Sequence, residues 1–141
     1  MRKMKLLVLP LLLALIAGCG GGGGGSSQPQ HAPTISNLQY TPQSATPNQG
    51  GGLINVTGTL DFDDIDGNLS TLTINIYDSN GTPLAPPTTS QIQGASGVTS
   101  GTIGIVVAVN TTVAGSYSFG IHVTDSIGLQ SNVIMRTFIV S

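Results

Sequence analysis

Ile54-Asn55-Val56-Thr57-Gly58-Thr59-Leu60-Asp61-Phe62 places apolar or small residues at every even position and polar residues between them. Successive side chains of a strand point to opposite faces, so a period of two predicts a strand with one buried face; a helix would need recurrence at three and four. The same signature returns downstream. Leu72, Ile74 and Ile76 alternate with Thr71, Thr73, Asn75 and Tyr77, and Asp78-Ser79-Asn80-Gly81 closes the run with an Asn-Gly pair suited to a tight turn. Ile103, Ile105, Val107 and Val109 share one face of a third run, and Tyr117, Phe119, Ile121 and Val123 share one face of a fourth.

Weaker runs fill in around these four. Residues 34–40 form a first strand, followed by a loop holding Pro42, Pro47, Asn48 and three glycines at 50–52. Residues 82–100 carry Pro83, Pro86 and Pro87, and supply at most a short edge strand, because proline cannot donate to a ladder. The last run, 131–140, is apolar on both faces; Val133, Met135 and Ile139 are expected inward, with Arg136 on the side of Ile134 and Phe138. No helical period of useful length follows residue 18. Six or seven antiparallel strands in two sheets, about 10 Å apart, let each strand bury its apolar face against the other sheet. With 4% aromatic residues and no Trp, the core is expected to be aliphatic.

The first nineteen residues read differently. Arg2, Lys3 and Lys5 precede an apolar run from Leu6 to Ala17, broken at Pro10, in the layout of a secretory signal. That run is shorter than the roughly 20 residues that span a bilayer. Ile16-Ala17-Gly18-Cys19 resembles the lipobox of bacterial lipoproteins. The resemblance implies a signal peptide over 1–18, cleavage before Cys19 and a fatty-acylated cysteine, hence a membrane partner through the N-terminal lipid. Gly20 stands where that family carries an aspartate in proteins held at the inner membrane, so the implied destination is the outer membrane of a bacterial envelope. After Cys19, residues 20–30 are glycine, serine, glutamine and proline, and with His31 and Ala32 they make 19–32 a tether whose ends lie roughly 20 Å apart. The remaining domain is 33–141.

Charge narrows the functional classes. Beyond the signal, Arg136 stands alone against Asp61, Asp63, Asp64, Asp66, Asp78 and Asp125, a net of −5 where the whole chain has −2. One cation cannot neutralise a phosphate backbone, so nucleic acid is excluded as a partner. Cys19 has no cysteine to pair with, which excludes an intrachain disulfide.

Four of the six carboxylates fall in Asp61-Phe62-Asp63-Asp64-Ile65-Asp66-Gly67-Asn68, between two strands. Their mutual repulsion invites a hard divalent cation with oxygen ligands, which outside a cell means calcium. An EF-hand register fails, because Phe62 and Thr73 would occupy its obligatory carboxylate positions. Asp64-Ile65-Asp66-Gly67-Asn68 resembles the Asp-x-Asp-Gly-Asn loop of calcium-binding sandwich modules, and His31-Ala32-Pro33-Thr34-Ile35 resembles the segment after interdomain calcium sites in cadherin-like repeats, with Gln30 and His31 where those carry an acidic or amide ligand. The candidate calcium ligands are therefore Asp61, Asp63, Asp64, Asp66 and Asn68, with Asp125 and Asn132 as further candidates. The alternative is a turn in which these aspartates accept hydrogen bonds from local backbone amides.

Ala114-Gly115-Ser116-Tyr117-Ser118-Phe119, continuing to Val123-Thr124-Asp125-Ser126-Ile127-Gly128, is similar to the penultimate strand of bacterial immunoglobulin-like, PKD-like and cadherin-like domains. The resemblance implies an all-β, immunoglobulin-like antiparallel sandwich. It puts Tyr117 at a tyrosine corner and Phe119 in the slot that antibody domains give to a cysteine, both structural roles.

Catalysis finds little support. Ser118 and His122 share a strand face, but four residues at about 3.3 Å each separate them by roughly 13 Å, too far for a nucleophile and its base. Glu is absent, and no apolar pocket is evident beside the aspartates to raise one carboxyl. The expectation is a non-enzymatic binding or spacer module of the envelope, and the rival is an adhesion module for a carbohydrate or protein. Sugar stacking would have to use Tyr40 and Tyr77; an exposed apolar patch on one sheet or one loop end would favour the rival.

Overall fold

A computed structural model describes residues 29–47 and 53–141. The readings on 1–18, on Cys19 and on most of the 19–32 tether lie outside the described residues, as does the 48–52 part of the first loop. The described chain is all-β: β1 (Thr34–Thr41), β2 (Ser44–Ala45), β3 (Ile54–Asp63), β4 (Leu69–Tyr77), β5 (Thr88–Gln91), β6 (Ser100–Val109), β7 (Gly115–Asp125) and β8 (Ile134–Val140). They form two sheets, ordered β1-β3-β6 and β2-β8-β7-β4-β5. This is an immunoglobulin-like sandwich. The long strands pair antiparallel, and the two-residue β2, the strand beyond the expected six or seven, runs parallel to β8.

The period-two runs become the inner faces. Val56, Leu60 and Phe62 of β3 and Ile103, Ile105, Val107 and Val109 of β6 are buried from one sheet; Leu72 and Ile74 of β4 and Tyr117, Phe119, Ile121 and Val123 of β7 are buried from the other. Each such side chain contributes about 1.5–3 kcal/mol when fully removed from water, which is why these four strands form the centre of the fold. Gly58 occupies an inward position of β3 without a side chain because β1 crosses there; a Cβ would collide with the Gln39 carbonyl oxygen.

β1 departs from simple alternation. Ile35 and Leu38, three apart, are both buried, because the pairing with β3 shifts between Ser36 and Gln39 and Asn37 adopts a positive φ of 51°. The extra residue of a bulge returns the next side chain to the same face. After the cis Thr41-Pro42 bond the chain crosses to the other sheet as β2.

β8 reverses the expectation for the last run. Val133, Met135 and Ile139 point outward and are exposed, whereas Phe138 and Val140 are buried. Cross-strand partners share a face, and β7 sets the register: Tyr117 faces Phe138, Phe119 faces Arg136 and Ile121 faces Ile134. Because Tyr117, Phe119 and Ile121 point inward, their partners do too. Arg136 therefore sits in the inward row between Ile134 and Phe138 and yet is exposed, with its guanidinium donating to the Met135 carbonyl.

Candidate functional site

Three loops of the sandwich are built on one local device. In Asp64-Ile65-Asp66-Gly67, Asp78-Ser79-Asn80-Gly81 and Asp125-Ser126-Ile127-Gly128, a glycine three residues after the aspartate has positive φ (62°, 79° and 94°) and donates its amide to the aspartate's carbonyl. The carboxylate then accepts from the amides two and four residues on. Asp64 takes Asp66 N at 3.3 Å and Asn68 N at 2.9 Å; Asp78 takes Asn80 N at 2.9 Å and Thr82 N at 2.8 Å; Asp125 takes Ile127 N at 3.0 Å and Leu129 N at 2.7 Å. Charge-assisted bonds of this kind are the strong ones, so the acid closes the turn. Asp64 and Asp125 are buried, only 1% and 4% exposed.

Two of these loops meet at one end of the molecule. The Gly67 carbonyl accepts from Gly97 N at 2.7 Å, Thr99 O accepts from Asp64 N at 2.7 Å, and Asn68 O accepts from Ser126 N at 2.9 Å. The β3–β4, β5–β6 and β7–β8 loops are thereby tied into one surface. A side chain at Gly67 would be strained: its Cβ would lie 3.2 Å from the Gly97 carbonyl carbon, on top of the positive φ. The lead-in segment arrives at the same end, where His31 N donates to Asp66 Oδ2 at 2.6 Å and the His31 ring nitrogen lies 3.6 Å from Asp66 Oδ1.

The candidate calcium ligands are accordingly distributed over several tasks. Asp61, on β3, accepts from Asn37 Nδ2 at 2.9 Å and from Thr102 Oγ1 at 2.8 Å, and these two bonds hold its carboxyl below the ordinary range. Asp63 is exposed, Asp64 caps backbone amides and Asp66 holds His31. Asn132 is engaged across the sandwich, accepting from Ile35 N at 2.9 Å and donating to Ile35 O at 3.0 Å. Among the described residues no three His, Cys, Asp or Glu side chains gather closely enough to hold a metal ion. Asn68 Oδ1 and Asp125 Oδ2 are buried without a hydrogen-bond partner, on neighbouring strand ends.

At the opposite end, Tyr117 Oη donates to Val113 O at 2.8 Å and lies 2.7 Å from Thr111 Oγ1, which itself accepts from Val113 N at 3.1 Å. The hydroxyl thus clamps the turn entering β7 from four residues away. Phe119 is buried and meets Tyr40 edge-on, the ring centroids 5.2 Å apart. Tyr40 in turn donates to Thr137 O at 2.7 Å, so it ties β1 to β8 and is not a free stacking platform. His122 pairs with Thr73 on the outer face of the larger sheet.

The tied loop end carries residues that the strand pattern passed over. Ile65, Val98 and Ile127, one on each of the three loops, are 70%, 38% and 55% exposed. Their signal in the sequence was a branched aliphatic side chain inside turn chemistry, where the turn needs none. Beside them a cleft of about 390 Å³ lies between Gly67, Asn68, Gln93, Gly94, Ser96 and Ser126.

Neither the family models nor the curated proteins yield a match to this sequence. Among solved structures the chain is similar to the PKD domain of an M14-like peptidase from a Thermoplasmatales archaeon. The two share 15% identity, the match covers 79% of this chain and 98% of that one, and the TM-score is 0.45.

Proposed function

We propose that the protein is a non-catalytic, lipid-anchored binding module of the bacterial envelope, held at the outer membrane through Cys19 and recognising a protein partner with the β3–β4, β5–β6 and β7–β8 loops. The observation that carries the binding half is the placement of Ile65, Val98 and Ile127 on three hydrogen-bonded loops at one end. Loops held by a rigid sandwich are a usual place for recognition, and each of these three carries an exposed aliphatic side chain that the turn itself does not need. A protein partner fits better than a sugar, because these tips offer no aromatic face for stacking. The lead-in segment enters at this same end, so the partner expected is one lying close to the anchoring membrane. The anchor itself is supported by the signal layout and by Ile16-Ala17-Gly18-Cys19.

The two halves are tested separately. In growing cells supplied with radiolabelled palmitate, the wild type is expected to take up label and fractionate with outer membranes, and Cys19→Ala to do neither. An unlabelled wild type refutes the anchor. For the partner, a photo-crosslinking amino acid is placed at position 65 or 127 in whole cells. It is expected to give one discrete crosslinked species, abolished by Ile65→Asp with Ile127→Asp. Diffuse or absent crosslinking at both positions refutes the loop-end assignment.

A further inference from the structure

The smaller sheet ends at β6, and among the described residues no backbone hydrogen bond reaches β6 except from β3. Its ten residues pair with β3 in unbroken register from Ile54↔Val109 to Asp63↔Ser100, so it is long and without a bulge. It contains no charged residue and no proline. Sheet edges of this kind pair readily with other strands unless a bulge, a proline, a charge or brevity prevents it. The other three edges of this sandwich each have such a block. β1 is interrupted at Asn37, β2 has two residues between Pro42 and Pro47, and β5 has four residues just after Pro86 and Pro87. β6 has none.

We propose that the free edge of β6 pairs antiparallel with β6 of a second copy of this chain, joining the two smaller sheets into one six-stranded sheet. The strand is complementary to itself. A two-fold axis through Ile105 sets Thr102 opposite Ala108 and Gly104 opposite Val106 on the outer face, small residues against larger ones with no charge to oppose a like charge. On the inner face it sets Ile103 opposite Val107, continuing the apolar row. Of the two aspartates on β3 beside this edge, Asp63 pairs with Ser100 and Asp61, nearer the axis, pairs with Thr102. In the paired arrangement it and Asp61 of the second copy are separated by three strand spacings and six residues along the strand, about 25 Å. That is well beyond the screening length of about 8–10 Å at physiological salt, so the net negative charge does not oppose the contact. Val106, 60% exposed, is the largest side chain on the outward row and the one the pairing covers. The second copy also lies along the mouth of a cleft of about 410 Å³ between β5 and β6, whose walls include Phe62, Leu72, Ile92 and Ile103.

A contact one strand wide falls among small, transient interfaces, so the dimer is concentration-dependent. Sedimentation equilibrium of the full chain in mild detergent, from about 10 μM to about 1 mM, spans the affinities such interfaces have. The wild type is expected to go from monomer to dimer across that range. Val106→Lys and Ala108→Lys place a charge on the edge and are expected to raise the dissociation constant at least about tenfold. Ile127→Lys, at the loop end, is expected to change it less than about twofold. Circular dichroism checks that the variants fold; if Val106→Lys does not, Ala108→Lys alone decides. Hydrogen exchange gives an independent reading, with β6 amides slowing as concentration rises and β1 amides unaffected. A wild type that stays monomeric throughout, an unchanged dimer in both edge variants, or dissociation by Ile127→Lys overturns the proposal. The outcome does not depend on the loop-end partner or on the anchor.

Discussion

Asp125 and Asp78 make the same two bonds, one carboxylate oxygen to the amides two and four residues on, yet they sit in different surroundings. Asp125 is 4% exposed, whereas the bonds of Asp78 lie at the surface. Replacing Asp125 by Ala leaves the amides of Ile127 and Leu129 without an acceptor in a partly buried loop. Bonds to a charged group contribute about 1.5–3 kcal/mol each, and some water reaches the Ile127 side, so the loss is about 3 kcal/mol. Asp78→Ala exposes its two amides to water that replaces the acceptor, and costs about 1 kcal/mol. For a domain of about 110 residues the unfolding entropy is roughly 0.23 kcal/mol/K, so the melting temperatures fall by about 13 °C and about 4 °C respectively. Asp125→Asn keeps the acceptor oxygen that both amides use and is expected to stay within about 1 kcal/mol of wild type. The assay is thermal and guanidinium unfolding of the three variants, with the denaturant slope checked for constancy. A difference between Asp125→Ala and Asp78→Ala below about 1 kcal/mol would refute the argument that burial gives these carboxylates their weight.

Two further outcomes follow from the acidic groups. The bonds from Asn37 and Thr102 hold the Asp61 carboxyl low, so its stabilising contribution is present above the ordinary carboxylate range near 3.9 and is lost as pH falls through the lower folded value. Asp61→Asn is therefore expected to show a shallower loss of melting temperature than wild type below about pH 4, and equal slopes would remove Asp61 from the acid limb. Calcium at millimolar concentration is expected to leave the melt where a chelator leaves it, because Asp64 and Asp66 already serve backbone amides and His31, and Asp61 already accepts from Asn37 and Thr102. A calcium-dependent rise, abolished by Asn68→Ala, would place the cation at the unpartnered oxygens of Asn68 and Asp125.

Much of the architecture was legible in the residues because strand side chains alternate without exception until a bulge intervenes. The inner faces of β3, β4, β6 and β7 could be read from Val56, Leu72, Ile105 and Phe119 outward, since each run keeps a row of apolar or small residues on one face while the other face is mostly polar or, in β6, small residues and Val106. The turn chemistry of Asp78-Ser79-Asn80-Gly81 was equally local. β8 was not legible in this way. Its run is apolar on both sides, so local pattern leaves two answers, and the pairing of Phe138 with Tyr117 chooses between them. The acidic loop carried the same ambiguity: four carboxylates in six residues suit either a cation or a set of backbone amides, and sequence holds no information on where their oxygens converge.

What the chain alone determined is what depends on neighbours along it: an all-β sandwich and a mostly aliphatic core, with a single cysteine following a signal-like run and Arg136 the one Lys or Arg beyond it. What only the tertiary structure decided is what depends on residues far apart in the chain. It brought the loops of Ile65, Val98 and Ile127 to one end, and among the described residues it left β6 as the one sheet edge that is long and free of a bulge, a proline or a charge. Periodicity records which face of a strand meets solvent; which strand lies beside it, and which loops meet at its end, follow from long-range pairing whose register no local pattern encodes.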